Sequence, residues 1–189
     1  VPGSGKSTLL SALLAELEQQ AWVMEQIITV GMDGWHYSRK ELDGFPDSKE
    51  AHERRGAAFT FNAEDYCAFV RKVATTTSDP IPFPSFSHSD RDPIMSGEAV
   101  LPCHRLVIIE GLHALLDIEP WNSVEDLYNA RILINVPREV ARERLVSRHM
   151  AVWPEYTREM ATDRAEKNDL PNGDFLLEHL MRPTLVVTQ

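Results

Sequence analysis

Cysteine is nearly missing from this chain. Cys67 and Cys103 are the only two, and they form no C-x-x-C pair. That excludes a disulfide framework and a cysteine-based zinc site, and it points to a reducing, cytoplasmic compartment. Long apolar runs are also missing. They fall well short of the roughly 20 residues a membrane-spanning helix needs, so no membrane partner is expected. Positive charge is scarce: 19 Lys and Arg stand against 29 Asp and Glu, a net charge of −10. Binding to nucleic acid in general needs a basic face, so no nucleic-acid partner is expected either. His104, His113, His149 and His179 lack metal-ligand spacing and read as packing or surface residues. The four tryptophans are scattered, so no stacking platform is implied. No internal repeat is visible, and nothing in the sequence sets an oligomeric state.

What the chain does have begins at residue 1. Val1-Pro2-Gly3-Ser4-Gly5-Lys6-Ser7 fits the last seven positions of the phosphate-binding pattern G-x-x-x-x-G-K-[ST], and Thr8 follows. Glycines let successive backbone N–H groups turn toward one anion. Lys6 reaches the β- and γ-phosphates, and the Ser7 hydroxyl can bind Mg²⁺. The helix that follows aims the positive end of its dipole at the same phosphates. An acidic protein can hold ATP this way because these groups act locally. Such a loop normally follows a buried strand. None precedes it here, so the expectation is a chain truncated at its N-terminus, with strand 1 missing.

The rest alternates strands and helices. Leu9, Leu10, Leu13, Leu14 and Leu17 form one stripe of a helix over 7–19. Apolar runs predict buried strands over 26–33, 105–110, 130–136 and 184–187. Helices are expected over 62–73, 138–150, 154–167 and 174–180. Residues 34–56 read as polar turns and 77–103 as a long Pro- and Ser-rich excursion. The class is α/β with a parallel sheet. In such sheets ligands bind beyond the carboxyl ends of the strands. Asp33 and Glu110 each end a strand, so both are expected to meet Lys6 at one edge.

Asp33-Gly34-Trp35-His36-Tyr37, with Ile108-Ile109-Glu110-Gly111-Leu112, resembles the uridine kinase, phosphoribulokinase and bacterial-type pantothenate kinase family. Arg54-Arg55-Gly56-Ala57 and Asn168-Asp169-Leu170-Pro171-Asn172 are similar to segments of its nucleoside kinase-like members. The resemblance covers nearly the whole chain. It implies a three-layer P-loop fold with sheet order 2-3-1-4-5, in a single domain over 1–189 with lid helices within 137–172.

The resemblance also implies roles. Asp33 would take the proton from an acceptor hydroxyl, with Gly34 leaving room for the acceptor. Ser7 and Glu110 would hold Mg²⁺. Pro2, Gly3, Ser4, Gly5, Lys6, Ser7 and Thr8 would bind ATP, with Lys6 also catalytic. Arg144 and Arg148 would meet the phosphates, although Glu139 and Glu143 equally suit a salt-bridged solvent helix. His36, Tyr37, Arg54, Arg55, Phe86 and His88 are the acceptor-side candidates. His36 could equally be a structural histidine, and Arg54 and Arg55 a solvated surface pair. Phe86 replaces a tyrosine of the family pattern and so offers no hydroxyl.

The activity implied is ATP-dependent phosphorylation of a hydroxyl on a nucleoside, sugar or pantothenate-like compound. A nucleotide-binding NTPase with a regulatory role is the alternative. A regulatory GTPase would usually carry Asn-Lys-x-Asp, which is absent. A remodelling ATPase would be expected to carry an Asp-Glu pair after the strand, where Glu110-Gly111 stands.

Overall fold

The computed structural model describes residues 1–189 except Thr77, His88 and Ser96. Helix α1 (Lys6–Leu17) and the short α2 (Ala21–Met24) lead into strand β1 (Ile27–Gly31). A 3₁₀ turn, Met32–Trp35, follows at once, so Asp33 lies just past the strand and not in it. The stretch expected to be all turns holds two short helices, α3 (Arg39–Leu42) and α4 (Ser48–Glu53). Ser38 and Glu41 close α3 with a capping box, which satisfies N–H groups that would otherwise be orphaned. Helix α5 (Ala63–Thr75) is capped by Asn62, whose side chain accepts from the Asp65 N–H.

The excursion after α5 is ordered as two antiparallel pairs. Strand β2 (Ile81–Pro82) joins β5 (Ala99–Val100), and β3 (Ser85–Ser87) joins β4 (Asp92–Ile94). Then come β6 (Leu106–Glu110), β7 (Ile132–Asn135), α6 (Arg138–Val152) and α7 (Arg158–Arg164). One turn of π-helix, Ala165–Asp169, runs directly into α8 (Leu170–Glu178), and β8 (Leu185–Thr188) ends the chain. The α8 start lies earlier than the sequence suggested. Pro171 sits in its first turn, where a missing N–H costs nothing.

Strand pairing departs from one continuous sheet. β1 runs parallel to β6 in register, Gly31 opposite Glu110, and β7 runs parallel to β8. These are the pairs 2-3 and 4-5 of the expected order. Between them lies a cavity of about 700 Å³, lined by β6, β7 and the α1 residues Leu9, Leu10 and Leu13. Three leucines of the α1 stripe line this cavity, and no residue of α1 is buried.

Packing concentrates in two clusters. One joins Val30, Met32 and Trp35 to Phe61, Tyr66, Phe69 and Trp121. Trp35 and Trp121, distant in sequence, both pack on Tyr66 at 5.3 Å between ring centroids. Rings arranged this way hold the 3₁₀ turn of Asp33 against α5. The second cluster joins Val1 and Val136 to Ala141, Leu145, Val146, Ala161 and Ala165, uniting α6 and α7 as one arm. Val140, on the same helix, is 37% exposed.

Candidate active site

The loop at residues 1–8 has the backbone its sequence demands. Gly3 and Gly5 adopt φ of 72° and 85°, a region closed to most side chains. A Cβ on Gly3 would also lie 2.6 Å from the Ala141 carbonyl oxygen. Pro2 packs on Gly173 of α8, and Thr8 is exposed on α1. Lys6 Nζ donates to the Val1 carbonyl at 3.0 Å. Burial lowers the Lys6 pKa; Arg148 adds to that, while Glu110 and Asp33 oppose it. The Ser4 hydroxyl is fully buried and has no hydrogen-bond partner among the described residues.

Parallel register brings the two acids together. Gly31 and Glu110 are opposite one another, and Asp33 lies two residues on. Burial raises the Glu110 pKa and Asp33 adds to the rise, while Lys6 and a hydrogen bond from Ser7 oppose it. Lys6, Ser7, Asp33 and Glu110 are thus neighbours, as the sequence predicts. Ser7 Oγ stands 3.4 and 3.5 Å from the two Glu110 oxygens. These are hard oxygen donors of the kind Mg²⁺ prefers. Among the described residues no group of three or more Asp, Glu, His or Cys side chains is placed to hold a metal ion. A cation here would take its other ligands from water and phosphates.

The α6 arginines divide. Arg144 Nη1 reaches the Gly3 and Ser4 carbonyls at 3.4 and 3.5 Å and Gln189 Oε1 at 3.2 Å, bracing the loop. Arg148 is exposed and close enough to Lys6 to lower its pKa.

On the acceptor side, His36 Nδ1 donates to the Asp33 carbonyl at 2.8 Å. Its ring lies 3.9 Å from that of Phe61 and 5.1 Å from that of Phe86, and burial lowers its pKa. Gly34 carries a different duty from the one expected. A Cβ there would meet the Pro84 carbonyl oxygen at 2.1 Å, so the glycine admits the β3–β4 hairpin and not the acceptor. Arg55 donates to the Tyr37 carbonyl at 2.9 Å and to Asp92 at 2.7 Å, with its guanidinium 5.7 Å from the Phe86 ring centre. Arg54 turns the other way, to Asn168 at 3.3 Å and Asn172 at 3.2 Å. A solvated surface pair is therefore not what these two arginines form. His88 lies outside the described residues.

His113, read from the sequence as a packing or surface residue, is a packing residue. It is fully buried two residues past Gly111, and its Nε2 donates to the Gly56 carbonyl at 2.9 Å. It ties the Glu110 strand to the Arg54–Arg55 turn. Burial pushes its pKa down to about 4. No spacing rule reveals such a contact. Asn168 and Asn172 were visible in the sequence as a motif, and their structural task is to fix the arm to that turn.

A phosphate loop, two strand-end acids at its side and an arginine-bearing arm define a P-loop kinase. The chain belongs to the Phosphoribulokinase / Uridine kinase family, whose model matches residues 2–166. It is 36% identical over 188 residues to a Schizosaccharomyces pombe protein named "Putative uridine kinase C227.14", covering 100% of this chain and 80% of that one. An Aspergillus versicolor protein named "ATP-dependent kinase-like protein notR'" is 36% identical over 151 residues, covering 78% and 88%. Among solved structures, one described as a "putative fructose transport system kinase" from Silicibacter sp. TM1040 superposes with a TM-score of 0.85 at 28% identity, covering 98% of this chain and 85% of that one. YFH7 from Saccharomyces cerevisiae gives 0.75 at 27% identity, and this chain spans 58% of its length. Among the described residues no helix is long and apolar enough to cross a membrane.

Proposed function

We propose that the protein transfers the γ-phosphoryl group of ATP to a hydroxyl of a small molecule. The observation that carries this is the meeting of Lys6, Ser7, Asp33 and Glu110 at the carboxyl ends of β1 and β6. Phosphoryl transfer asks a protein for alignment and charge neutralisation more than for covalent chemistry. The loop amides of Gly3 to Ser7 and the Lys6 ammonium hold the triphosphate. Ser7 and Glu110 are the residues that hold Mg²⁺, which when bound neutralises charge on the phosphates. Asp33 accepts the proton of the attacking hydroxyl as the new O–P bond forms. Its 3₁₀ turn rests on the Trp35–Tyr66–Phe69 rings, so its direction is fixed.

The acceptor lies against His36, Tyr37 and Phe86, on the hairpin side of Asp33. Nucleosides, sugars and pantothenate-like alcohols are the classes to test. The names of the relatives add uridine and fructose to the first panel. Arg148, exposed and beside Lys6, meets the phosphates as the α6–α7 arm closes, and closure excludes water from the transfer.

The test is an acceptor screen read by ATP consumption, repeated with Asp33→Asn. Asparagine keeps the shape but takes no proton. Affinity for Mg·ATP should stay within a few-fold while transfer falls by about 10² or more. Near-normal transfer by Asp33→Asn refutes the base assignment. Loss of ATP binding in Asp33→Asn makes Asp33 a cation ligand instead.

A further inference from the structure

Four residues of α6 are buried: Ala141, Leu145, Val146 and His149. The first three are apolar and pack with Ala161 of α7 and Ala165 of the π-helical turn. His149, in the last turn of α6, is the polar exception. A buried polar ring is costly unless it is hydrogen-bonded. This one is bonded: its Nε2 lies 2.8 Å from an oxygen of Asp169, the last residue of the π-helical turn. A carboxylate accepts only, so Nε2–H is the donor. The His149 side chain is 4% exposed and that of Asp169 17%, so water competes little for the bond. The His149 ring also packs on Trp153, with 5.0 Å between centroids. Arg142 and Glu166 join the same two elements at 2.8 Å, but at the surface, where such pairs contribute little.

A pin at His149 fixes the rotation of α6 about its own axis. That rotation decides where the next-door Arg148 points. Arg144 and Arg148 share a face, one turn apart. Arg144 reaches the Gly3 and Ser4 carbonyls, and Arg148 stands beside Lys6. The bond also leads to the acceptor side. Asn168, adjacent to Asp169, donates to the Arg55 carbonyl at 3.1 Å and accepts from Arg54 Nε at 3.3 Å. Arg55 donates to the Tyr37 carbonyl, and Tyr37 follows His36, whose Nδ1 holds the Asp33 carbonyl. Hydrogen bonds and single peptide links thus run unbroken from the helix of Arg148 to the turn of Asp33. Asn168 and Asp169 both fall in the π-helical turn, a rare distortion that is frequent at functional sites.

We propose that His149 and Asp169 are positioning residues for phosphoryl transfer. Their bond holds Arg148 toward the phosphate loop and ties that setting to the turn that carries the base. Both act through their neighbours, His149 through Arg148 and Asp169 through Asn168. The proposal rests on the kinase reading above and adds that the arm and the acceptor-side turn are set together.

The test is a double-mutant cycle on the full chain, read by calorimetric titration of Mg·AMP-PCP. Arg148→Gln should weaken binding about tenfold, the scale of one charge-assisted bond. His149→Phe keeps a ring on Trp153 but loses the bond, and should weaken binding about fivefold. In Arg148→Gln protein the same change should cost less than about twofold, because its effect passes through Arg148. His149→Gln loses the ring but keeps an N–H for Asp169, and should stay within about twofold of the wild type. A role in packing alone predicts the opposite order, Phe milder than Gln, and additive losses. Asp169→Ala, at a half-buried position, should match His149→Phe and decides the matter should that variant fail to fold. Lys167→Gln, which removes an exposed pair with Asp163, should leave binding unchanged. A second measurement needs no nucleotide. Hydrogen–deuterium exchange at residues 54–57 should quicken in His149→Phe and Asp169→Ala, although neither residue bonds to that turn, and stay unchanged in His149→Gln and Lys167→Gln. Additive losses, the packing order or unchanged exchange in both bond-breaking variants overturns the proposal. So does Arg148→Gln protein that binds AMP-PCP as the wild type does. A wild-type protein that fails to bind AMP-PCP overturns the kinase reading instead, and the exchange measurement still decides whether the pair sets the turn.

Discussion

His113 gives the fold a calculable sensitivity to acid. The side chain is fully buried, with Nε2–H spent on the Gly56 carbonyl and Nδ1 left without a partner. Charging it would place a proton on a nitrogen that faces no acceptor. Its pKa accordingly falls from 6.5 to about 4. Below pH 6.5 the unfolded chain takes up a proton that the folded chain refuses, so stability falls as pH falls, and the loss is complete below about pH 4. At about 1.4 kcal/mol per pH unit the full effect is about 3.5 kcal/mol, of which roughly 2.5 is lost by pH 4.5. His36, whose pKa is also lowered, adds loss of the same sign; Glu110, whose pKa is raised, opposes it. The comparison must therefore be between proteins. His113→Gln keeps an N–H for the Gly56 carbonyl and cannot be charged. Urea unfolding of both proteins at pH 7 and pH 4.5 is the assay. The wild type should lose about 2.5 kcal/mol more than the variant between those values. Equal losses would refute the reasoning and mean that His113 charges in place, with water reaching Nδ1.

Further outcomes can be checked independently. Lys6→Ala should damage nucleotide binding and turnover together, because it removes charge from the β- and γ-phosphates; calorimetry beside a coupled ATPase assay reads both. Gly34→Ala should destabilise by about 1–3 kcal/mol, since its Cβ would strike the Pro84 carbonyl and the hairpin would have to shift; thermal melts test this, and an unchanged melt argues against the contact. Protease cutting between Arg148 and Asn168 should slow when an ATP analogue and acceptor are bound together, with the cuts falling N-terminal to the anchored Asn168; identical cutting with and without ligands argues against closure.

Some of this protein was legible in one dimension. The phosphate loop is a local object: Gly3, Gly5 and Lys6 make it whatever lies around them. Asp33 and Glu110 could be placed because parallel strands in an α/β sheet end at one edge, so an acid after each apolar run has one place to be. The Asn62 cap and the α6 arm follow from local hydrogen bonding and periodicity.

Other features were decided only when the chain closed on itself. Arg54 and Arg55 are adjacent and chemically identical, yet Asp92 on the hairpin neutralises one while two amides from the arm hold the other. The α1 leucines satisfy helical periodicity, but their burial depends on what fills the space between β6 and β7. Gly34 reads as room for a ligand until Pro84, 50 residues on, packs against it. His113 carries no motif at all. Sequence determines what a residue can donate, accept or bury over a few neighbours. Which partner it meets is set by contacts tens of residues away.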